Sequence, residues 1–431
     1  MSKTPPSNTP RSVLISGASI AGPVLAYWLN RYGFDVTVVE RASTVRSGGY
    51  PIDIRGTALD VVERMGLQSA IQAAHIDSRT LTFVDANGRD IGTISPYDLA
   101  ANEARDVELP RGVLTTLFYD LTRSSAVRYR FDDSIESLED DGAGVEVRFK
   151  SGERERYDVV IGADGLHSNT RNLVFGPEEP FRRDLGFTFN LFSMPNDLGL
   201  SHGGIIYSEP GRTAVAFAVR ESPELFAMLA FATEKTDSGT RLSAEEQIER
   251  TAHLFSKCGW EVPRLVEALR RADDLYFDTV SQIRMPHWSK GRVALVGDSA
   301  FAPSFLSGQG TSIAIVGAYV LAGELASHED PAEAFAAYER IARPFVEANQ
   351  DLPFREGGTS LILRTQEQLD ARNRMLASLA NGDVPKQQNN YVRQVHNSLR
   401  LPDYKHRRSV SALRLSTKTS TELSSVTGPH T

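Results

Sequence analysis

A short β-branched run, Ser12 to Ser16 (SVLIS), leads directly into Gly17-Ala18-Ser19-Ile20-Ala21-Gly22, and no other segment restricts the chain's folding options as much. Apolar residues then recur at Val24, Leu25, Trp28 and Leu29, the spacing of one helix face, until Gly33 ends the helix. Asp35 to Val39 follows as a second apolar strand closing at Glu40. A strand, a glycine turn, a helix and a strand make a βαβ unit, whose parallel strands need a sheet covered on both faces. Gly17 allows the tight turn, and Gly22 lets helix and strand pack closely. The helix start then offers free backbone N–H groups and a positive dipole end, the environment that a pyrophosphate prefers. Ser19 stands at the middle position, where the usual fingerprint has glycine. Glu40, 23 residues beyond Gly17, is placed to accept hydrogen bonds from a ribose diol and to repel a 2′-phosphate. Together these features point to a dinucleotide such as FAD or NAD.

The rest of the chain alternates between two kinds of pattern. Glycine loops after Ser47 precede a predicted helix from Thr57 to Met65, and Asn87-Gly88 marks one hairpin and Asp141-Gly142 another. Tyr157 to Gly162 is again a fully apolar strand, expected to rejoin the first sheet. From Phe187 to Val219 the sequence alternates in strand fashion, and Thr240 to Arg271 reads as helical. Arg292 to Val296 then returns to the first pattern, ahead of an apolar helix at Ile313 to Leu325. The expected fold is α/β, a Rossmann-like nucleotide-binding domain interleaved with an antiparallel β-sheet substrate domain, plus a C-terminal helix. Residues 11–75, 107–175 and 286–352 are assigned to the first domain. A hairpin at 76–106 and the sheet at 176–285 form the second. Residues 353–400 make a C-terminal helical segment, in which 361–379 forms one helix bracing the two domains. A Ser-, Thr- and Lys/Arg-rich tail at 401–431 is expected to be partly disordered.

Composition excludes several function classes. Forty-seven Lys plus Arg against 55 Asp plus Glu give a net charge of −8, so no general field draws the chain to nucleic acid or anionic lipid. A single cysteine, Cys258, precludes an internal disulfide, and no Cys/His cluster has the spacing of a zinc site, so no metal is expected. Met1 to Pro10 lacks the apolar region of a secretory signal, and the Ile313 to Leu325 stretch is shorter than a membrane span. Cytoplasmic location, no transmembrane segment and a monomer or weak dimer are the expectations.

Two further segments carry chemistry. Ala163-Asp164-Gly165-Leu166-His167-Ser168-Asn169-Thr170-Arg171 puts an aspartate at a strand's carboxyl edge, followed by a polar turn. Val296-Gly297-Asp298 leads through Pro303 to Ser307-Gly308-Gln309-Gly310-Thr311, immediately ahead of a helix. With GASIAG and Glu40-Arg41, these three elements in this order resemble the class A flavoprotein monooxygenases, which share the 4-hydroxybenzoate-hydroxylase-like fold. The resemblance covers roughly residues 11 to 350 and is nearest the tetracycline-inactivating and secondary-metabolite branch. Gly48 to Asp53 and Leu109-Pro110-Arg111 also look like family positions beside the flavin.

The resemblance implies that Gly17, Ser19, Ile20, Ala21, Gly22, Glu40, Arg41, Gly49 and Arg111 hold the ADP half of FAD, with Arg111 reaching towards the ribityl chain. Asp298 would bind a ribityl hydroxyl, and Asp164 would support the site and the transient binding of NAD(P)H. Pro303, Gly308, Gln309, Gly310 and Thr311 would open a helix facing the flavin. The implied reaction uses NAD(P)H and O2 to hydroxylate an aromatic or polyketide-like small molecule through a C4a-hydroperoxyflavin. A Baeyer–Villiger oxygenase, an epoxidase and a non-catalytic FAD or ligand carrier are the alternatives. A halogenase is disfavoured, because Trp28, Trp260 and Trp288 are far apart. Substrate wall candidates are Phe187, Phe189, Phe192, Met194, His202, Tyr207 and Phe217, and no catalytic acid or base is legible. Ala214, Ala216 and Ala218 leave one strand face small, for a ligand or for a close-packed helix. Beyond Ser19, two positions depart from the family pattern: Phe301 replaces a histidine, and Gly317 an aspartate.

Overall fold

The computed structural model describes residues 11–45, 48–95, 105–233, 243–354, 362–380 and 386–404. β1 (Ser12–Ser16), α1 (Ala21–Arg31) and β2 (Asp35–Val39) form the parallel βαβ unit. β3 (Pro51–Ile54), α2 (Thr57–Arg64) and α3 (Gln68–Ala73) lead to the hairpin of β4 (Thr80–Val84) and β5 (Asp90–Ile94). β6 (Val107–Pro110) returns by pairing antiparallel with β3 and runs straight into α4 (Arg111–Arg123) and β7 (Arg128–Arg130). The antiparallel strands β8 (Ile135–Asp140), β9 (Val145–Phe149) and β10 (Arg154–Tyr157) precede β11 (Val159–Gly162) and α5 (Asn169–Phe175).

The second domain begins with β12 (Arg182–Pro195), β13 (Gly203–Glu209), β14 (Arg212–Ala218) and β15 (Glu224–Ala232). α6 (Ala244–Phe255), α7 (Val262–Leu269) and β16 (Tyr276–Ile283) complete it. The span read as helical from Thr240 to Arg271 is thus two helices. The chain then returns through β17 (Ser289–Lys290), β18 (Val293–Leu295), α8 (Asp298–Phe301), α9 (Gly310–Ser327) and α10 (Pro331–Asp351). α11 (Gln366–Ala380) and α12 (Lys386–His396) follow.

The first sheet has the order β17-β18-β11-β1-β2-β7, parallel except at β17, and the second the order β16-β12-β15-β14-β13-β4-β5. β4, far away in sequence, joins β13 in parallel, so the domains are interleaved as expected. Val13, Leu14, Ile15, Val160 and Ile161 are fully buried, which explains why β1 and β11 are continuous apolar runs rather than alternating ones. α9 is apolar on every side because it is enclosed by α1, α2 and α10. It is long and apolar enough to cross a membrane, but most of it lies inside this core.

The two departures at Phe301 and Gly317 are one packing event. A Cβ on Gly317 would lie 2.9 Å from Phe301 Cζ, so the bare backbone of α9 makes room for the phenyl ring, which also packs 4.7 Å from Trp288.

The C-terminal segment corrects the expectation of one bracing helix. Leu361 lies outside the described residues, and α11 packs on β5 and β13, with Leu376 against Phe83, Ile94 and Ile206. α12 instead packs against α10 in the other domain, so the main contacts to the two domains are divided between two helices. Residues 401–404, assigned to the tail by the sequence, pack against the first domain. Leu401 is buried in the first domain's core, the Pro402 carbonyl accepts from Arg64 and Tyr319, and Tyr404 donates to Glu324. Residues 405–431 lie outside the described residues.

Candidate active site

The strand-to-helix turns after β1, β11 and β18 meet at the carboxyl ends of these parallel strands, the place where ligand crevices form in such sheets. Gly17 has a φ of +110°, donates its N–H to Val39 O at 2.8 Å, and would place a Cβ 2.4 Å from Ala163 O in the turn after β11. A Cβ on Gly22 would lie 1.9 Å from Gly17 O. Only glycine permits either approach, and Ile20 and Ala21 are buried in the same compact turn. Glu40 Oε2 accepts from Ala18 N–H at 2.9 Å and Oε1 from Ala42 N–H at 3.0 Å, leaving a second lone pair on each oxygen. Arg41 is exposed beside it.

Arg111, the first residue of α4, donates from Nη2 to Ser19 Oγ at 3.2 Å, and its stem passes Gly49, whose Cβ would lie 3.5 Å from Arg111 Cβ. The serine in the glycine fingerprint therefore holds the arginine. Gly297 brings in the third element: a Cβ there would be 3.1 Å from Ala21 on α1 and 3.5 Å from Ala314 on α9. Asp298, half-buried, has no hydrogen-bond donor among the described residues, and burial raises its pKa against the pull of Arg111. A Cβ on Gly310 would lie 3.9 Å from both Asp298 Oδ1 and Pro303 Cγ. Gln309, fully buried ahead of α9, leaves both its amide oxygen and nitrogen unpartnered, while Thr311 is half-buried in the first turn. Buried polar groups are normally paired, so these two residues beside Gly310 suit a polar ligand. The loop between them is strained at Ser304, at φ 69° and ψ 158°, a region rarely visited by side-chain-bearing residues.

Asp164 braces the turn after β11. Its carboxylate accepts from Ser168 Oγ, from Thr170 N–H and Oγ1 at 2.8 and 2.9 Å, and from Ser299 Oγ at 3.1 Å. Those donors occupy it, so Asp164 fastens the turn after β11 to α8 instead of facing a ligand. Arg171, 1% exposed, reinforces the same joint by donating to Ser299 O and Leu166 O at 2.9 and 2.7 Å. His167 bridges Glu178 and Asp278 of β16, each at 3.1 Å, and these carboxylates raise its pKa to about 9.

The seven-stranded sheet sorts the substrate candidates by face. Phe192, Met194 and Tyr207 point towards α6 and α7, where they pack with Phe255, Leu265 and Leu269, so they are core and not wall. Ala214, Ala216 and Ala218 share that face, leaving room for the helices. Phe187, Phe189 and Phe217 lie on the opposite face, and the Phe189 ring is 4.8 Å from Phe305 of the strained loop. His202, at φ 52°, is tied to the Asp77 carbonyl at 3.2 Å, at the start of β13.

The sequence reading missed the main feature of that opposite face, whose far end lies under α11. Leu191, Met228, Val215, Ile206 and Phe83 stand in direct cross-strand register across five strands, a continuous apolar strip starting beside the Phe189–Phe305 contact. The alternation in β15 (ELFAMLAFA) was the available signal. Also missed were Asp53 and Glu108, opposed across β3 and β6, with Arg55 bonded to Asp53 at 2.9 Å. Burial, then Asp53, push the Glu108 carboxyl up to about 7. A Cβ on Gly308, itself at φ 62°, would lie 3.3 Å from Arg55 Nη1. Among the described residues no group of His, Cys, Asp and Glu is arranged to hold a metal.

Residues 11–352 match the FAD binding domain family, which spans all three segments of the crevice. The chain belongs to this family of flavin-dependent monooxygenases. It is 45% identical over 343 residues to a Mycobacterium tuberculosis protein named "Uncharacterized protein Rv1260", covering 79% of this chain and 92% of that one. A protein named flavin-dependent monooxygenase, from an unknown prokaryotic organism, is 39% identical over 340 residues, 79% of this chain and 88% of its own. The crystal structure of tetracycline destructase Tet(55) superposes with a TM-score of 0.78 at 35% identity, covering 92% of this chain and 99% of that one. In this flavin-dependent monooxygenase the glycine fingerprint, with Ser19 bonded to Arg111, and the turn carrying Asp298, with Gly297 against Ala21, are brought together.

Proposed function

We propose that this FAD-dependent monooxygenase uses NAD(P)H and O2 to hydroxylate an aromatic or polyketide-like small molecule lying on the face of the seven-stranded sheet that carries Phe189, Leu191, Met228 and Val215. The observation that carries this reading is the meeting of the cofactor crevice with that apolar strip at the Phe189–Phe305 contact. The turn from Gly17 to Gly22 and the start of α1 would hold the pyrophosphate, and Glu40 would accept from the ribose. Arg111 and the unpartnered Asp298 would hold the ribityl chain, with the start of α9 from Gly308 to Thr311 facing the ring. FAD, reduced by NAD(P)H, supplies the activation of O2 and the insertion of one oxygen atom, the second leaving as water. The protein's part is to orient the substrate and exclude water, for which Leu191, Met228, Val215 and Phe217 provide the apolar wall.

Stopped-flow reduction of the yellow holoenzyme by NADPH and by NADH, with and without tetracycline, an anthraquinone or a simple phenol, tests this. Substrate-accelerated reduction and a product heavier by one oxygen are expected, and NMR of that product separates hydroxylation from ring expansion or epoxidation. Oxidation of NAD(P)H that yields only hydrogen peroxide with every compound would refute the reading. Failure of either nucleotide to reduce the flavin would leave a carrier.

A further inference from the structure

The far end of the apolar strip runs beneath α11, where Leu376 covers Phe83 and Ile206 and a charged side chain lies beside them. At its far end α11 lies over the sheet, and Arg372 stacks its guanidinium 4.8 Å from the Phe83 ring while Nη1 donates to Ser208 Oγ of β13 at 2.9 Å. Nε and Nη2 reach the neighbouring Asn373 Oδ1 at 3.3 and 3.0 Å. A guanidinium has five N–H donors, so these contacts leave two unused. Among the described residues no carboxylate pairs with Arg372. Glu209, next to Ser208, points through to the other face, where it bonds Arg212 and Tyr207. Burial alone lowers the Arg372 pKa, to about 10. A half-buried cation without a counter-ion is costly unless an anion supplies the missing charge.

Register fixes the distance from the cofactor crevice. β12, which carries Phe189, is three strands from β13 in the sheet order, and at about 4.8 Å per step the separation is about 14 Å. That is the reach of a fused polycyclic skeleton, not of a single ring. From these positions we infer that Arg372 is the specificity-determining residue for an elongated, largely apolar organic anion, whose carboxylate, enolate or phenolate it binds at the end remote from the oxidised carbon. The inference rests on the functional reading above and adds the charge and orientation of the substrate.

Arg364 is the competing cation, because its guanidinium lies 4.6 Å from the Phe187 ring on the same face, though it also donates to Gly186 O. The test is equilibrium binding, by quenching of intrinsic fluorescence, of anthraquinone-2-carboxylate and of its neutral isostere anthraquinone-2-carboxamide to the holoenzyme. The wild type should bind the carboxylate at least tenfold more tightly than the carboxamide. R372Q should bind both alike, R372K should keep part of the preference, and R364Q should keep all of it. A purely structural arginine would alter thermal stability without changing this ratio. The inference fails if the wild type binds the two probes alike or binds neither, if the preference survives R372Q, or if R364Q removes it. Flavin absorbance of the same samples separates the two claims: yellow enzyme without carboxylate preference refutes the role of Arg372 only, whereas colourless protein refutes the flavoenzyme reading beneath it.

Discussion

Replacing Gly317 by alanine sets two effects of opposite sign against each other in α9. Inside a helix, alanine is favoured over glycine by about 1 kcal/mol, and an exposed site would show that as a gain. Here the new methyl would lie 2.9 Å from Phe301 Cζ and 3.6 Å from Val296 Cγ2, and the ring cannot retreat because Trp288 packs 4.7 Å away on it. Overpacking of this kind costs about 1–3 kcal/mol. G317A should therefore be neutral to destabilising by about 2 kcal/mol. F301A removes a ring only 1% exposed and should itself cost about 3–5 kcal/mol, but it opens the space that the methyl needs. In that background G317A should be stabilising by about 1 kcal/mol. The double-mutant cycle, measured by urea unfolding of the four proteins followed by far-UV circular dichroism, should show a coupling of about 1–3 kcal/mol. Additivity of the two substitutions within about 0.5 kcal/mol would refute the claim that Phe301 and Gly317 are one packing event.

Asp298→Ala removes a carboxylate with no donor among the described residues, so stability should change little while FAD affinity falls about tenfold to a hundredfold, the worth of a charged hydrogen bond. Fluorescence titration of the apoprotein reads this, and unchanged affinity contradicts the assigned role. His167, whose pKa is raised to about 9 by Asp278 and Glu178, contributes stability that is full below its unfolded value near 6.5 and lost as pH rises through about 9. The melting temperature should fall across that interval in the wild type relative to His167→Gln, and parallel pH profiles would discount the bridge. Truncation after Phe354 removes α11, α12 and the buried Leu401 and Leu376, so the melting temperature should drop by several degrees, and an unchanged curve would show that the C-terminal segment braces nothing.

The first domain was legible because its determinants are local. Gly17, Gly22 and Glu40 lie within one βαβ unit, where period, turn residue and spacing carry the information. The same holds for the Asn87-Gly88 and Asp141-Gly142 hairpins. How Asp164 acts was not legible, because an aspartate at a strand's carboxyl edge reads identically whether it faces a ligand or fastens a turn. Only the positions of Ser168, Thr170 and Ser299 distinguish the two. The substrate candidates failed in part for a related reason. Alternation divides β12 and β13 into two faces but does not say which face meets α6 and α7, so Phe192, Met194 and Tyr207 were grouped with Phe189.

The order of glycines, acids and apolar runs along the chain thus determined a dinucleotide-type βαβ unit, the parallel sheet around it and the interleaving of two domains, since each follows from neighbours a few residues apart. Tertiary structure alone decided the orientation of the second sheet, the pairing of Ser19 with Arg111 and of Phe301 with Gly317, and the arrival of Arg372 at the end of the apolar strip. These depend on approaches between segments tens to hundreds of residues apart. Which approaches occur is set by how whole layers pack together, and no local pattern of residues encodes it.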